Sequence, residues 1–573
     1  MSRDLPSCPP FLFGLLLWSC SSNSPAITGD LDASTHSGEG IVDVRRGERA
    51  VVDAAACPVG APAEENVVAS ERGLLRGVKS GETIAFLGVP YAAPPVGARR
   101  FAPPEPRACW TGVRDASQYG NRCPQHSAVG AYLGDEDCLF LNVWTPALPT
   151  VGSASLPVLV FLHGGANVMG GGNEGAVSIF GSAAAGVGNI YDGHALAAGQ
   201  RVVVVTLNYR LGALGFLAHP ALSQQGARGN YALLDAIAAR AWVQRNIRAF
   251  GGDPGRVLLF GESAGAAHTC MLLVSPAAKG LFHAALMESG SCRALPLAER
   301  EAGGAQLAEQ WGCASAADVA TCLRQLPATT LVGQLGEKSS FLVLGEDLLR
   351  VWDLQFGATI DGTLIPADPL ARLRDGKHNK VPFVVGTNAD ESALFAITKT
   401  TLTCSAYAAE LALRFGADAD RLLELYPCSN SLFVGWPVVE LSTDAVFTCP
   451  ARRIARAAAS GQSQPVRRYL FTHSYSNSPL TALRAFHASD LPFVFQTFSA
   501  AAYLPTKDEL ELSAAIQGYW ARLAGAGDPN AAAAPSWPKV DAQGDPLLIL
   551  DTTIAAQSGY HAERCDFWDT LAK

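Results

Sequence analysis

Short apolar runs recur along the chain, and each is bounded by Gly, Pro or Asn. These runs are Val158–Leu162, Val202–Leu207, Val257–Phe260 and Pro382–Val385. Longer stretches with helical character, such as Ala232–Ile247 and Leu510–Leu523, lie among them. Strands of a parallel sheet read as continuous apolar runs, because helices cover both faces of the sheet. The pattern therefore predicts an α/β fold with a central, mostly parallel sheet and helices on both faces.

The first twenty residues differ from the rest. Arg3 is followed by the apolar run Pro9–Trp18, then by Cys20 and a polar stretch. This layout predicts a secretory signal peptide over residues 1–20. The end of the segment also resembles the bacterial lipobox, in which the cysteine is lipidated and becomes the new N-terminus. Cys20 is therefore a candidate lipidation site, and the alternative is an ordinary cleaved signal with a chance cysteine.

The remaining chain divides into two parts. Residues 21–66 are rich in Gly, Ser, Ala and Asp without a periodic apolar pattern, so we expect a flexible tether there. From residue 67 the pattern is dense, with neither a repeat nor a break, so residues 67–573 are predicted to form one α/β domain. Within it, Val168–Asn189 is a loop rich in Gly, Ala and Ser that we expect to overhang the top of the sheet.

Charge and cysteine content exclude several classes of protein. A net charge of −9 argues against a nucleic-acid partner, which would need a basic face. No apolar stretch reaches the length of about 18 residues that a membrane-spanning helix needs. Fourteen cysteines in a reducing cytosol would need a metal or redox role, and no C-x-x-C motif supplies one. Without Cys8 and Cys20, twelve remain, an even number that can pair in an exported protein.

A candidate nucleophile follows the run Val257–Phe260. Gly261-Glu262-Ser263-Ala264-Gly265 connects this run to Ala266–Val274, which can continue as a helix. A strand, a tight turn and a helix in this order are typical of the nucleophile elbow, whose strained turn raises a serine hydroxyl above the sheet. The flanking glycines allow the strand and the helix to approach closely. Ser263 is thus the predicted nucleophile, and the alternative is a serine that only caps a helix.

Candidate oxyanion donors follow the run Val158–Leu162. The next residues are His163-Gly164-Gly165-Ala166, and small residues let the backbone come close to a substrate. Acyl transfer places negative charge on a carbonyl oxygen, so fixed N–H donors must already face that position. The amides of Gly165, Ala166 and Ala264 are the candidates, and the alternative is a plain glycine turn after a strand.

A serine nucleophile also needs a histidine base and an acid that orients it. In this fold class the chain order is serine, acid, histidine. Asp390 and Glu391 follow a predicted strand, at the edge where sites of open α/β sheets collect, and the pattern does not separate them. An acid there excludes His378 by order. His487, in a loop before an apolar run, is favoured over His473, which ends a predicted strand.

Ordered motifs across about residues 67–545 resemble those of the type B carboxylesterase family, α/β-hydrolases that include carboxylesterases, cholinesterases and some lipases. The matching motifs include Phe86-Leu87-Gly88-Val89-Pro90-Tyr91-Ala92, Glu136-Asp137-Cys138-Leu139, Asn208-Tyr209-Arg210-Leu211-Gly212, Phe250-Gly251-Gly252-Asp253-Pro254 and Gly527-Asp528-Pro529-Asn530. The resemblance implies a carboxylesterase-type serine hydrolase that cleaves small-molecule esters through a Ser-His-Glu triad and an acyl-enzyme. It implies no cofactor and no metal.

The resemblance also assigns individual residues. The family's acid is the Glu of an Asp-Glu pair followed by a small residue, which corresponds to Glu391. Its histidine precedes a short acidic-then-aromatic stretch, which corresponds to His487. Two disulfides are implied, Cys123–Cys138 and Cys313–Cys322. A third pair, Cys404–Cys428, is a local interpretation of the sequence itself, and the other cysteines are left unassigned.

Departures from the family pattern bear on substrate and location. The segment between Cys123 and Cys138 lacks the tryptophan that choline-binding members carry, which disfavours a cholinesterase role. Asn167 stands where an aromatic residue often follows the glycines, so acyl and alcohol specificity do not transfer. Rival hypotheses are a non-catalytic binding relative, a lipase and an amidase. We expect an exported protein, secreted or held at the periplasmic or cell surface through a lipid on Cys20.

Overall fold

The computed structural model describes residues 57–571, except 58, 63, 128–129, 151, 175–187, 227, 334–355, 397–402, 429–434 and 542–543. The predicted signal peptide, Cys20 and most of the tether lie outside the described residues, as does the centre of the loop Val168–Asn189. The described residues belong to one compact unit, Asp43–Lys573. Among them, no helix is long and apolar enough to cross a membrane.

The described strands are numbered in chain order. They are β1 (Val67–Ser70), β2 (Gly73–Arg76), β3 (Val78–Ser80), β4 (Thr83–Pro90), β5 (Val113–Asp115), β6 (Gln125–His126), β7 (Tyr132–Leu133), β8 (Phe140–Thr145), β9 (Leu156–Leu162), β10 (Val203–Leu207), β11 (Gly252–Glu262), β12 (Ala284–Glu288), β13 (Leu295–Pro296), β14 (Thr359–Ile360), β15 (Phe383–Asn388), β16 (Val466–Phe471), β17 (Leu547–Leu550) and β18 (Ala555–Gln557).

The described α-helices follow the same convention. They are α1 (His194–Gln200), α2 (Gly212–Phe216), α3 (Pro220–Ser223), α4 (Tyr231–Asn246), α5 (Ala264–Val274), α6 (Leu297–Gln310), α7 (Val319–Gln325), α8 (Ala328–Gly333), α9 (Pro369–Arg374), α10 (Cys404–Phe415), α11 (Ala419–Leu425), α12 (Gly435–Thr443), α13 (Cys449–Gly461), α14 (Leu491–Phe495), α15 (Lys507–Ala526) and α16 (Ala562–Leu571).

One large sheet organises the domain. Its strand order is β18-β17-β16-β15-β12-β11-β9-β10-β8-β4-β3. The strands from β17 to β10 in this order run parallel, and the strands at both margins are antiparallel. Such a sheet, with helices packed on it, is the predicted fold class, which is thereby confirmed.

The apolar runs form strands because both faces of the sheet are covered. In β9, Val158, Val160 and Leu162 belong to one hydrophobic cluster, and Leu159 and Phe161 belong to the other. The other central strands alternate in the same way, so each side chain meets a helix layer. A strand buried on both faces has no polar side to show, which is why the sequence pattern was continuous.

The turn that carries Ser263 depends on a close approach of backbone to backbone. A Cβ atom on Gly265, in the first turn of α5, would lie 1.9 Å from the carbonyl oxygen of Leu162 in the neighbouring strand β9. A Cβ on Gly261 would lie 2.6 Å from the backbone of Gly265. Only glycine fits at either position, since these neighbours are main-chain atoms that cannot rotate away.

Twelve cysteines form six disulfide bonds. Cys123–Cys138, Cys313–Cys322 and Cys404–Cys428 pair as expected. The cysteines that the sequence left unassigned pair as Cys57–Cys109, Cys270–Cys292 and Cys449–Cys565. The last of these bonds closes a separation of 116 residues and joins α13 to α16. Six bonds fit an oxidising compartment.

The start of the domain is held by one of these bonds. Cys57 lies within the predicted tether 21–66, and besides its bond to Cys109 its N–H donates to the carbonyl oxygen of Glu71 at 2.8 Å. The last residues before β1 are therefore attached to the domain, and the boundary at residue 67 stays a prediction from the sequence.

We expect Gly265→Ala to destabilise the protein by about 3 kcal/mol or more, at the upper end of the range for overpacking, because the added methyl group meets a backbone oxygen. Gly303→Ala is the matched control, since Gly303 is exposed on α6 with nothing within 4 Å of its added Cβ. It should stabilise the helix by roughly 0.5–1 kcal/mol. Urea unfolding of the two variants measures the difference, and equal midpoints would contradict the close approach.

Candidate active site

Ser263 occupies a strained position between β11 and α5. Its φ is +55° and its ψ is −120°, a conformation that non-glycine residues rarely adopt. Its N–H donates to the carbonyl oxygen of Glu288 on β12 at 2.9 Å, which ties the turn to the next strand. Because Ser263 is the N-cap of α5, the partial positive charge of the helix N-terminus faces it. The side chain is half-buried, so a substrate can reach it.

The glycine loop after β9 lies against this turn. A Cβ on Gly164 would lie 3.0 Å from Cβ of Ser263. Gly165 and Ala166 both have positive φ, at +103° and +54°. In the described part of the chain neither of these two amides donates to a backbone carbonyl. Ala264 is the first residue of α5, so its N–H has no partner within the helix.

Glu391 and His487 form a buried pair. Nδ1 of His487 lies 2.7 Å from Oε2 of Glu391, and the His487 N–H donates to the Glu391 carbonyl oxygen at 3.2 Å. The other carboxylate oxygen of Glu391 accepts the N–H of Asn388, at the end of β15, at 2.7 Å. The ring centroids of Phe395 and Phe447 each lie 5.2 Å from the centroid of the His487 ring. The pair is thus fixed in orientation, with the Nε2 edge of the ring directed away from Glu391.

Glu262, which immediately precedes Ser263, was not among the site residues predicted from the sequence. Nε2 of His487 lies 3.1 Å from Oε1 of Glu262, a contact without the alignment of a hydrogen bond. This contact brings the imidazole of His487 to the same turn as Ser263. The only signal in the sequence was the Glu within Gly-Glu-Ser-Ala-Gly. Its burial and its approach to His487 depend on the tertiary structure, so the sequence pattern does not reveal them.

The carboxylates change the proton affinity of His487. Burial disfavours the charged imidazole, but the negative charge of Glu262 and the hydrogen bond that His487 donates to Glu391 outweigh it and raise the pKa of His487 to about 9. Burial also raises the pKa of Glu262 to about 8, against the pull of His487. Because these two groups face each other, removing the charge on Glu262 removes the largest cause that raises the pKa of His487.

The other candidates lie elsewhere. Asp390 contacts Arg484 at 3.5 Å, so the structure separates it from its neighbour Glu391, which contacts the histidine. His473 is held between Glu509 at 2.9 Å and Asp551 at 2.8 Å. His378 lies 3.0 Å from Gln462. Within the described ranges, no group of three or more His, Cys, Asp or Glu residues could hold a metal ion.

Known proteins with similar sequences share this architecture. Residues 64–568 match the carboxylesterase family. The chain belongs to the carboxylesterase family. It is 34% identical over 523 residues to the para-nitrobenzyl esterase of Bacillus subtilis (strain 168), with 87% of this chain and 97% of that protein covered. A solved structure of a PNB esterase has a TM-score of 0.74 at 34% identity and covers 88% of this chain and 100% of its own.

Two further relatives are named as esterases of other compounds. The chain is 33% identical over 544 residues to the fumonisin B1 esterase of Sphingopyxis macrogoltabida, covering 90% of this chain and 94% of that protein. It is 34% identical over 524 residues to the human cocaine esterase, covering 84% and 86%. The resemblance read from the motifs is confirmed, and so is the class of enzyme, a carboxylesterase-type serine hydrolase.

We expect ester hydrolysis to increase with pH through an apparent pKa above 6.5, the ordinary value for histidine, because an imidazole accepts a proton only when it is neutral. In Glu262→Gln this apparent pKa should shift downwards, since the charge that favours the imidazolium is gone. Profiles of kcat/KM against pH with p-nitrophenyl acetate measure the shift. Glu309→Gln, an exposed change on α6, is the control, and an unshifted profile in Glu262→Gln would argue against the coupling.

Proposed function

We propose that this carboxylesterase-family enzyme cleaves carboxylic esters with Ser263 as nucleophile, His487 as base and Glu391 as the acid that orients the base. The observation that carries the proposal is the 2.7 Å contact of Glu391 with Nδ1 of His487. It leaves Nε2 directed toward the turn of Ser263, as the 3.1 Å approach to Glu262 indicates. A base that is held at Nδ1 and presents Nε2 at the turn of Ser263 suits proton transfer to and from a serine.

The first half of the reaction forms an acyl-enzyme. Nε2 of His487 takes the proton of the Ser263 hydroxyl, and Oγ attacks the ester carbonyl carbon. The carbonyl oxygen becomes an oxyanion that accepts hydrogen bonds from the amides of Gly165, Ala166 and Ala264. The C–O bond to the alcohol then breaks, and the imidazolium gives its proton to the leaving alkoxide. Glu391 accepts from Nδ1–H throughout and stabilises the transient positive charge.

The second half restores the enzyme. His487 takes a proton from a water molecule, whose oxygen attacks the acyl carbon of the Ser263 ester. The same three amides hold the second oxyanion, which collapses with cleavage of the bond to Oγ. His487 returns the proton to Ser263, and the carboxylic acid leaves. These steps use only acid–base and nucleophilic chemistry from the chain itself.

We expect Ser263→Ala to lower kcat by a factor on the order of 10⁶, because removing a serine nucleophile costs about this much in a comparable triad. Ser275→Ala is the matched control, since Ser275 is a buried serine at the other end of α5 whose hydroxyl has no hydrogen-bond partner in the described chain. Both proteins should unfold at similar temperatures. Hydrolysis of p-nitrophenyl acetate at the parent rate by Ser263→Ala would reject the assignment.

The rival hypotheses make different predictions. A non-catalytic relative would not react with a fluorophosphonate probe, whereas a competent Ser263 is labelled covalently. A lipase would favour long-chain esters at an interface, and an amidase would cleave the matching anilides. The relatives are named as esterases of different compounds, para-nitrobenzyl esters, fumonisin B1 and cocaine, so their names do not point to one ester for this chain. A panel of esters therefore decides the acyl and alcohol preference.

We further propose that the protein is exported and that a lipid on Cys20 anchors it to a membrane. The lipobox-like sequence before Cys20 and the six disulfide bonds support this location. In a bacterial host, Cys20→Ser should move the enzyme from the membrane fraction to the soluble fraction, whereas Cys8→Ser should not. An unchanged distribution in Cys20→Ser would favour an ordinary signal peptide.

A further inference from the structure

Two buried side chains connect the glycine loop to the helix that carries Ser263. His268 lies on α5, five residues after Ser263, and its Nε2 lies 2.8 Å from Oδ1 of Asn167. Asn167 directly follows Ala166, one of the proposed oxyanion donors. His268 is 2% exposed and Asn167 is 4% exposed, so the contact is shielded from water. Loop and helix are thus joined by side chains as well as by packing.

A third partner fixes the direction of this hydrogen bond. Nδ2 of Asn167 donates to the carbonyl oxygen of Phe356 at 3.1 Å. A carbonyl oxygen only accepts, so the amide nitrogen faces Phe356 and Oδ1 faces His268. Because Oδ1 also only accepts, Nε2 of His268 must carry the hydrogen. Nδ1 then carries the lone pair, and it is buried without a hydrogen-bond partner among the described residues.

The surroundings of His268 keep the ring neutral. Aromatic rings lie against it, with Tyr209 at 4.5 Å and Phe216 at 5.6 Å between centroids. Burial, with a smaller effect of His163, lowers the pKa of His268 to about 3. Burial likewise lowers the pKa of His163 to about 4. The hydrogen bond to Asn167 is therefore neutral, and it persists throughout the pH range in which esters are assayed.

The loop needs such an anchor because its backbone is strained. Ala166 and Asn167 are consecutive residues with φ of +54° and +64°. Strained positions of this kind persist only where the surrounding contacts hold them. Three atoms of Asn167 are held, since its carbonyl oxygen accepts the N–H of Gly212 at 2.6 Å in addition to the two side-chain contacts. The direction of the Ala166 N–H is set by this conformation.

We propose that Asn167 and His268 are a positioning pair that holds the Ala166 amide in the direction of the oxyanion above Ser263. Since His268 and Ser263 share a helix, the pair keeps the loop and the nucleophile in a fixed relation. This inference rests on the proposed function, because it assumes that Ser263 forms the tetrahedral intermediate. Neither side chain touches the reacting atoms, so their effect passes through Ala166.

His268→Phe tests the pair, since a phenyl ring can occupy the aromatic pocket without the Nε2–H donor. We expect kcat for p-nitrophenyl acetate to fall about 10- to 100-fold, less than the roughly 10²- to 10³-fold for the full loss of an oxyanion donor. KM should change by less than about threefold, because the loop acts on the transition state rather than on the bound ester. His268→Gln, which carries an amide donor in place of Nε2–H, should recover most of kcat.

Three further measurements separate positioning from a general loss of structure. Asn167→Leu should lower kcat as His268→Phe does, and the double variant should be no slower than the slower single variant. A trifluoromethyl ketone, which adds to Ser263 and leaves an oxyanion in the same hole, should lose affinity by the same factor as kcat. Phe216→Leu removes a ring that contacts His268 but no hydrogen bond, so its kcat should stay within about twofold of the parent value.

The outcomes are distinguishable. A folded His268→Phe with the parent kcat and ketone affinity would overturn the pair, and so would single-variant losses that multiply in the double variant. If His268→Phe fails to fold, Asn167→Leu compared with His268→Gln decides the question by the same criteria. Labelling by a fluorophosphonate separates this result from the proposed function. If the parent is labelled and His268→Phe keeps the parent kcat and ketone affinity, only the positioning pair is rejected. If the parent is not labelled, the role of Ser263 is rejected.

Discussion

The contact between Gly265 of α5 and Leu162 of β9 is the constraint on which the site depends. With any residue other than glycine at position 265 the helix could not approach the strand to this distance, because the added Cβ would lie 1.9 Å from the main-chain oxygen of Leu162. The approach forces the chain to turn within one residue, and that residue is Ser263, with φ of +55°. The strain at Ser263 is thus a consequence of how helix and sheet pack. The same packing brings the loop after β9 alongside the turn, so the proposed oxyanion donors and the proposed nucleophile are placed by one arrangement.

Carboxylates surround the histidine more closely than a triad alone requires. His487 faces Glu391 on one side of its ring and Glu262 on the other, both buried. Two negative charges stabilise an imidazolium strongly. In the proposed mechanism this favours the state in which the proton has left Ser263 and slows the step that needs a neutral imidazole. The high pKa of Glu262 moderates this conflict, because a protonated carboxyl group no longer holds the imidazolium. The balance between these charges sets the pH at which such a site works.

The sequence predicted those parts of the fold and site that depend on local pattern. The runs that became β9, β10, β11 and β15 were visible because each strand is buried on both faces. The turn around Ser263 was visible because two glycines flank the serine within one short motif. The residue pattern alone did not separate Glu391 from Asp390, since adjacent carboxylates differ only in where the fold directs them; the family resemblance was needed to choose Glu391. The Cys449–Cys565 pair was not predicted, because its cysteines are 116 positions apart in the chain and only the fold brings them together. The contact of Asn167 with His268 joins residues 101 positions apart, and no periodic pattern in the sequence predicts it.

The disulfide bond of Cys57 ties the segment that enters β1 to the body of the domain. Cys57 lies ten residues before Val67, the first residue of β1, and its partner Cys109 lies between β4 and β5 in the chain, so the bond is a covalent clamp at the margin of the small sheet β1-β2-β5. A proteolytic cut between Cys57 and β1 therefore leaves the upstream piece attached through Cys109. The clamp forms only where the chain folds under oxidising conditions. Attachment of this segment is thus a property of the oxidised protein, and reduction would loosen it without any cut in the chain.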